Sequence, residues 1–399
     1  MPARRAGRLS LAVAVLALAG CKSLPFKDDP SAWSGNRATV SPERIFDVEW
    51  WTPLVGTLPL TTGGLGEFQP RETATPAVDP DSGRVVVCTR DGFVRSLSPE
   101  KGKVEWEKKI GGRCFAGGKI KDGVLYLPAG DGALHAIKAR TGETIWRYVA
   151  GEELVTVPLL IDGKILVASQ NDTLFVVDAA TGKWIWQQRR DTPSGFTLRG
   201  AASPRVEDGI VYMGYADGSL VALKLADGTV LWERNLSASG GNQFIDVDTT
   251  PVVDAQGHVY GASFKDGIYS LDIKTGDIAW TSANAGVTSL ISRGDVLFTT
   301  GDGQVGAVHK GTGRSLWKID LSNRGKRNSA GRDPLLSREL LFVPTSGAMV
   351  VVDTASGKVR YAWNPGKGVT ATPAQAGRRL YVLSNLGTVF ALRLRAGGG

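Results

Sequence analysis

The sequence predicts an all-β fold: one eight-bladed β-propeller built from four-stranded antiparallel blades. Three observations predict it. A Gly-x-x-x-Trp mark recurs, with glycine spacings of 40, 40, 46, 48, 37 and 44 residues. A second tight turn stands nine or ten residues before each mark. The last copy lacks a final strand, and an otherwise unassigned strand near the N-terminus supplies one. A period of roughly 40–50 residues with four strands per unit is a propeller signature.

In chain order, residues 1–20 are expected to be a signal peptide outside the fold. Arg4, Arg5 and Arg8 form a basic start, and Leu9–Ala19 is an apolar stretch too short to span a bilayer. It ends in Leu18-Ala19-Gly20-Cys21, which resembles a bacterial lipobox, so Cys21 is the expected lipidation site. Lys22 follows it, and in enterobacterial lipoproteins Asp at that place signals inner-membrane retention, so the pattern resembles outer-membrane sorting. A lipid-modified cysteine carries more than one acyl chain, enough for stable anchoring. The rest of residues 21–44 shows neither helical nor strand periodicity and is rich in Pro, Ser, Asp and Lys, as expected of a flexible tether. Its relaxed reach is ~25–30 Å and its extended reach ~80 Å.

Residues 45–399 are expected to form the propeller as one domain, although 399 residues would ordinarily suggest two or three. The marks are Gly102/Trp106, Gly142/Trp146, Gly182/Trp186, Gly228/Trp232, Gly276/Trp280 and Gly313/Trp317, with Tyr361 replacing Trp after Gly357. The upstream turns are Asp91-Gly92, Asp131-Gly132, Asn171-Asp172, Asp217-Gly218, Asp266-Gly267, Asp302-Gly303 and Ser346-Gly347. Such pairs supply positive φ in tight hairpins. Between them run short alternating strands such as Ser219–Lys224. A single four-stranded meander exposes both faces, so neighbouring units must stack, with the Trp between blades. The eighth copy begins at Val369 and stops after Gly387–Leu392 without its outer strand. Asp47-Val-Glu-Trp50 matches Lys103-Val-Glu-Trp106 and is expected to complete it, with Phe46 at the place of the usual Gly. The 51 glycines are therefore largely hairpin punctuation.

Composition excludes several classes. Three cysteines rule out a disulfide scaffold or a cysteine-rich zinc fold. His135, His258 and His309 fall in different repeat registers, so no metal site is expected. The net charge of +8 falls to +5 with the first twenty residues removed, and no long Lys/Arg run suggests nucleic acid. The basic stretch Arg324-Gly-Lys326-Arg327 is read first as a solvated loop, with contact with anionic lipid as the lesser alternative. Gly301-Asp-Gly303-Gln-Val-Gly306 matches a dinucleotide-binding fingerprint, but a strand rather than a helix should follow it. No catalytic motif is found. Cys88 and Cys114 lie at the first junction, either as a disulfide or as two buried thiols; spacing leaves both open.

The two longest spacings place extra residues in the connectors 187–200 and 233–248, between blades 3 and 4 and blades 4 and 5. Connectors can lengthen without disturbing the sheets, so these two neighbours should form one raised patch. They contain Phe196-Thr-Leu198-Arg199-Gly200 and Phe244-Ile-Asp246-Val-Asp248-Thr-Thr-Pro251. Apolar anchors beside charges suit a protein interface. The plain alternative is that Leu198 and Phe244 are core residues of the following strands and the charges cap loops.

The repeat resembles the PQQ-like propeller repeat, shared by quinoprotein dehydrogenases and by the BamB family of outer-membrane β-barrel assembly lipoproteins. The lipobox, the single propeller, Leu198-Arg199-Gly200 and Asp246–Val253 look like the BamB family. The resemblance implies a non-catalytic scaffold without cofactor, lipid-anchored to the outer membrane and facing the periplasm. It implies binding to the POTRA domains of a BamA-like insertase and delivery of unfolded outer-membrane proteins. The positions it implies as partner-binding are Phe196, Leu198, Arg199, Asp246 and Asp248, with Phe196 departing from the usual Leu. The rival readings are a PQQ-dependent periplasmic oxidoreductase and a generic envelope adaptor. Quinoproteins resemble longer chains with adjacent cysteines and a calcium site, and this chain has no adjacent cysteines.

Overall fold

A computed structural model describes residues 45–56, 71–191, 201–237, 245–301, 303–321 and 333–395. These residues hold 32 strands in eight four-stranded antiparallel sheets, the eight blades of a propeller. Blade 1 occupies residues 77–109, blade 2 119–149, blade 3 159–189 and blade 4 205–235. Blade 5 occupies 252–282, blade 6 289–320 and blade 7 335–363. Blade 8 combines residues 374–394 with β1 (Phe46–Pro53), in the order β1-β32-β31-β30, where β32 is Thr388–Leu394. The expected completion of the last blade by the N-terminal strand is borne out.

The two ends of each blade differ. The hairpins joining strands 1–2 and 3–4 lie at one end. The hairpins joining strands 2–3, and the connectors to the next blade, lie at the other. At the first end Asp122-Gly123, Asp162-Gly163 and Asp208-Gly209 carry positive φ at both positions, the backbone that two-residue hairpins need. The chain enters at this end, where Phe46 pairs with Leu394. It is called the hairpin face below, and the opposite one the connector face. Gly301 ends one strand and Gln304 begins the next, so the fingerprint-like glycines flank a hairpin followed by a strand.

The core is divided among the junctions. Each of eight buried apolar clusters spans two neighbouring blades, including blades 8 and 1. Every outer strand skips one register position just before its aromatic residue, leaving a β-bulge at residues 49, 105, 145, 185, 231, 279, 316 and 360. The aromatic is thereby turned into the junction. Its partner across the strands is small: Ser96, Ala136, Val176, Ala222, Ser270, Ala307, Val351 or Ala391.

Trp50 and the Trp of each mark reach the next blade. The indole N–H of Trp50, Trp106, Trp146, Trp186, Trp232, Trp280 and Trp317 donates to a carbonyl there at 2.8–3.2 Å. Its ring lies over the Gly of the next mark, where a Cβ would come within 2.3–2.9 Å. The last junction is built differently. Tyr361 replaces Trp, Phe46 replaces Gly, and their rings meet edge to face at 5.4 Å. The larger residue on one side matches the smaller on the other, and no hairpin is needed because β1 and β32 are not consecutive.

Ion pairs support this closure. Glu49 pairs with Arg379 at 2.6 Å and also with Arg393, while Asp47 takes Arg395 at 2.6 Å. Glu49→Ala is expected to cost about 1–2 kcal/mol, read as a lower urea midpoint, because it strands two arginines beside a closing strand. At the first junction Cys88 and Cys114 form a disulfide, with Cα atoms 5.8 Å apart. That bond decides between the alternatives that spacing left open, and both residues stand within one apolar cluster.

Candidate interaction site

Cys21, Phe196, Leu198, Arg199 and Phe244 lie outside the described residues, so the site is built from what surrounds them. The first long connector leaves β13 (Trp184–Arg189), and the second leaves β17 (Val230–Asn235). Both strands end on the connector face. The second returns as a strap, residues 245–249, wedged between blades 4 and 5. Val247 N–H donates to the Tyr215 carbonyl at 3.1 Å, and the Asp246 carbonyl accepts from Phe264 N–H at 3.0 Å. The Thr249 hydroxyl accepts from Ala262 N–H at 3.0 Å. Gly214 makes room for the strap, since a Cβ there would stand 2.1 Å from the Val247 carbonyl oxygen.

This strap places the two aspartates differently. Asp246 is buried at 1% exposure, whereas Asp248 is half-buried. Asp248 is the one with access to solvent.

Where the first connector leaves blade 3 lies a charged cluster that sequence reasoning missed. Arg190 opens the first connector. Its Nε donates to Asp217 at 2.7 Å, and its two Nη atoms donate to Glu233 at 3.0 and 2.6 Å. The guanidinium also sits 5.4 Å from the centre of the Tyr215 ring, a cation–π contact. The Arg190 N–H donates to the Asp172 carbonyl at 3.2 Å. One residue thus ties the exit of blade 3 to a central turn and the outer strand of blade 4. Burial opposes its charge, but the hydrogen bonds to Glu233 and Asp217 outweigh it and hold Arg190 more firmly protonated than usual.

Asp172 is the buried counterpart. It stands in the blade 3 turn with φ 56° and 2% exposure, where other copies have glycine. Its carboxylate accepts the Ala216 N–H at 3.2 Å. Burial raises its pKa to about 6, with Asp217 and Asp246 adding to the shift and the Ala216 N–H and Arg190 opposing it. That replacement, Asn171-Asp172 for Asp-Gly, was the available signal.

A pH effect follows. The folded pKa lies above 3.8, the ordinary value of an aspartic acid. The stabilising contribution is therefore full below that value and is lost as pH rises through about 6. Asp172→Asn should flatten this part of the stability profile and be more stable at pH 7, by on the order of 1–3 kcal/mol. Denaturant midpoints of both proteins between pH 4 and pH 7 check it.

Fold and repeat together define a propeller of the PQQ-like repeat class. The family profile described as outer membrane protein assembly factor BamB matches residues 90–319 and 301–397. The chain belongs to that family. It is 27% identical to outer membrane protein assembly factor BamB of Legionella pneumophila over 196 residues, covering 48% of this chain and 50% of the relative. With the protein of the same name from Salmonella typhimurium it shares 27% identity over 209 residues, covering 51% and 52%. The chain thus spans about half the length of these curated relatives. The crystal structure of BamB from Moraxella catarrhalis superposes with a TM-score of 0.72 at 23% identity, covering 88% of this chain and all of that one. A quinohemoprotein alcohol dehydrogenase from Pseudomonas putida gives a TM-score of 0.66 at 13% identity, over 91% and 79%. Both superpositions concern the fold.

Proposed function

We propose that this chain is a non-catalytic scaffold of the outer-membrane protein assembly complex. In this reading Cys21 is acylated, and the anchor holds the propeller at the outer membrane, facing the periplasm. The connector face between blades 3 and 5 binds the POTRA domains of a BamA-like insertase. Phe196, Leu198, Arg199 and Asp248 would make the contacts, with Asp246 supporting the strap. The complex would receive unfolded outer-membrane proteins and aid their insertion. The observation that carries the reading is family membership over residues 90–319 and 301–397, which contain both long connectors.

A pull-down tests it. Tagged wild-type chain should recover the barrel subunit from detergent-solubilised membranes, and Arg199→Ala/Asp246→Ala should recover several-fold less. Because Asp246 is buried, the melting temperature of the variant is measured alongside, and Arg199→Ala alone gives a second comparison. Equal recovery by wild type and both variants sinks the proposed interface.

A further inference from the structure

The hairpin face is unevenly charged. In blades 6–8 its turns and their flanks carry Arg293, Lys310, Arg314, Arg338, Lys358 and Arg378 against Asp295, Glu339 and Asp353, the last paired with Arg360. Arg314, Arg338 and Lys358 are exposed. None of the three has a carboxylate within ion-pair distance among the described residues; Arg293, not Arg338, is the residue beside Glu339. The corresponding turns of blades 3–5 are mixed, with Lys183, Lys224 and Lys274 set among Asp162, Asp208 and Asp227. The basic half is also where the chain enters, since Phe46 begins the outer strand of blade 8 on this same face. Residues 21–44 attach there and reach at most ~80 Å from it.

We infer that the basic hairpin face of blades 6–8 rests on an anionic phospholipid surface. Charge complementarity selects the ligand, and the entry point of residues 21–44 brings the same face to it. Clustered Lys and Arg near anionic headgroups are attracted over about a Debye length. A lipid chain and a polybasic patch together hold a protein more firmly than either alone. The connector face then points away from the bilayer, because it is the opposite end of every blade. The inference concerns the face alone and stands apart from the partner proposed for the connectors.

Vesicle co-sedimentation tests it with the mature chain carrying Cys21→Ser, so that no acyl chain contributes. The wild-type face should bind vesicles of phosphatidylethanolamine with phosphatidylglycerol, and not phosphatidylcholine vesicles. Each basic residue near such a surface contributes roughly fivefold in partition, so Arg314→Glu/Arg338→Glu/Lys358→Glu should reduce binding about a hundredfold or more. Lys183→Glu/Lys224→Glu/Lys274→Glu makes the same net charge change across the ring and should reduce it only a few-fold. Lys358→Glu alone, on an exposed turn, should lose about fivefold or more and serves if the triple variant does not fold. Equal losses in the two triple variants, no loss in Lys358→Glu, or no preference for anionic vesicles would overturn the inference.

Discussion

Trp186→Ala is expected to lower the unfolding free energy by about 3–5 kcal/mol, the usual cost of emptying a large aromatic site in a packed core. Trp186 is 6% exposed and lies in the cluster joining blades 3 and 4. Its N–H is bound to the Leu225 carbonyl at 3.0 Å, and its ring covers Gly228. Gly228→Ala attacks the same contact from the other side. The new Cβ would meet Trp186 Cε3 at 2.8 Å on a backbone with φ 75°, so about 2–4 kcal/mol is expected. In the double variant the clash disappears and only the backbone strain of ~1–2 kcal/mol is added. Equilibrium urea unfolding of the four proteins should therefore show the double variant losing less than the sum of the singles, by about 1 kcal/mol or more. Additive losses would mean that the ring and the glycine are energetically separate.

Arg190→Ala should cost about 2–4 kcal/mol. It removes one cation from Asp217 and Glu233 and leaves both carboxylates close together and partly dehydrated, the unfavourable way to break an ion-pair group. The figure is below that of a fully buried pair because the Glu233 side chain is 42% exposed. Arg190→Lys should restore less than half, since an ammonium cannot donate in parallel to both Glu233 oxygens while holding Asp217. The effect should also reach the connectors. Arg190→Lys should weaken recovery of the barrel subunit at a temperature where the protein remains fully folded. Thermal melts, together with the pull-down, separate the two contributions. Unchanged stability in Arg190→Ala would show that the bidentate geometry contributes nothing.

The fold was legible because its determinants are local and repeated. Each hairpin glycine or aspartate is needed for backbone conformation, and each Trp stands a fixed distance from it, so seven copies reinforce one reading. The bulge was hidden. Nothing in Gly-Lys-Trp-Ile-Trp at 182–186 says that Ile185 is skipped in the ladder. Also hidden was that a glycine serves two ends, its own hairpin and the indole of the preceding blade. Phe46 and Tyr361 look like two unrelated departures in sequence and become one compensated pair only when the ring closes. The site was less legible. Spacing located the connectors, but the side chains at the base of the first come from turns and strands of two blades, at sequence separations of 27 and 43 residues from Arg190. Sequence also could not tell the two aspartates apart: Asp246 is buried, and Asp248 two residues later is half-buried.

The closing strand also sets a schedule. Asp47 and Arg395, paired across the last blade, are 348 residues apart in the chain. A chain that emerges N-terminus first exposes Asp47 long before Arg395. Over that interval the amphipathic segment 46–53 has no native mate, and the ring has two raw edges of the kind that recruit foreign strands. Blades 1 to 7 have all their strands in order and can stack as they emerge. Blade 8 alone must wait for the end of the chain. A newborn molecule therefore spends its vulnerable period as an open arc, and whatever shields residues 46–53 during it governs the yield of closed rings.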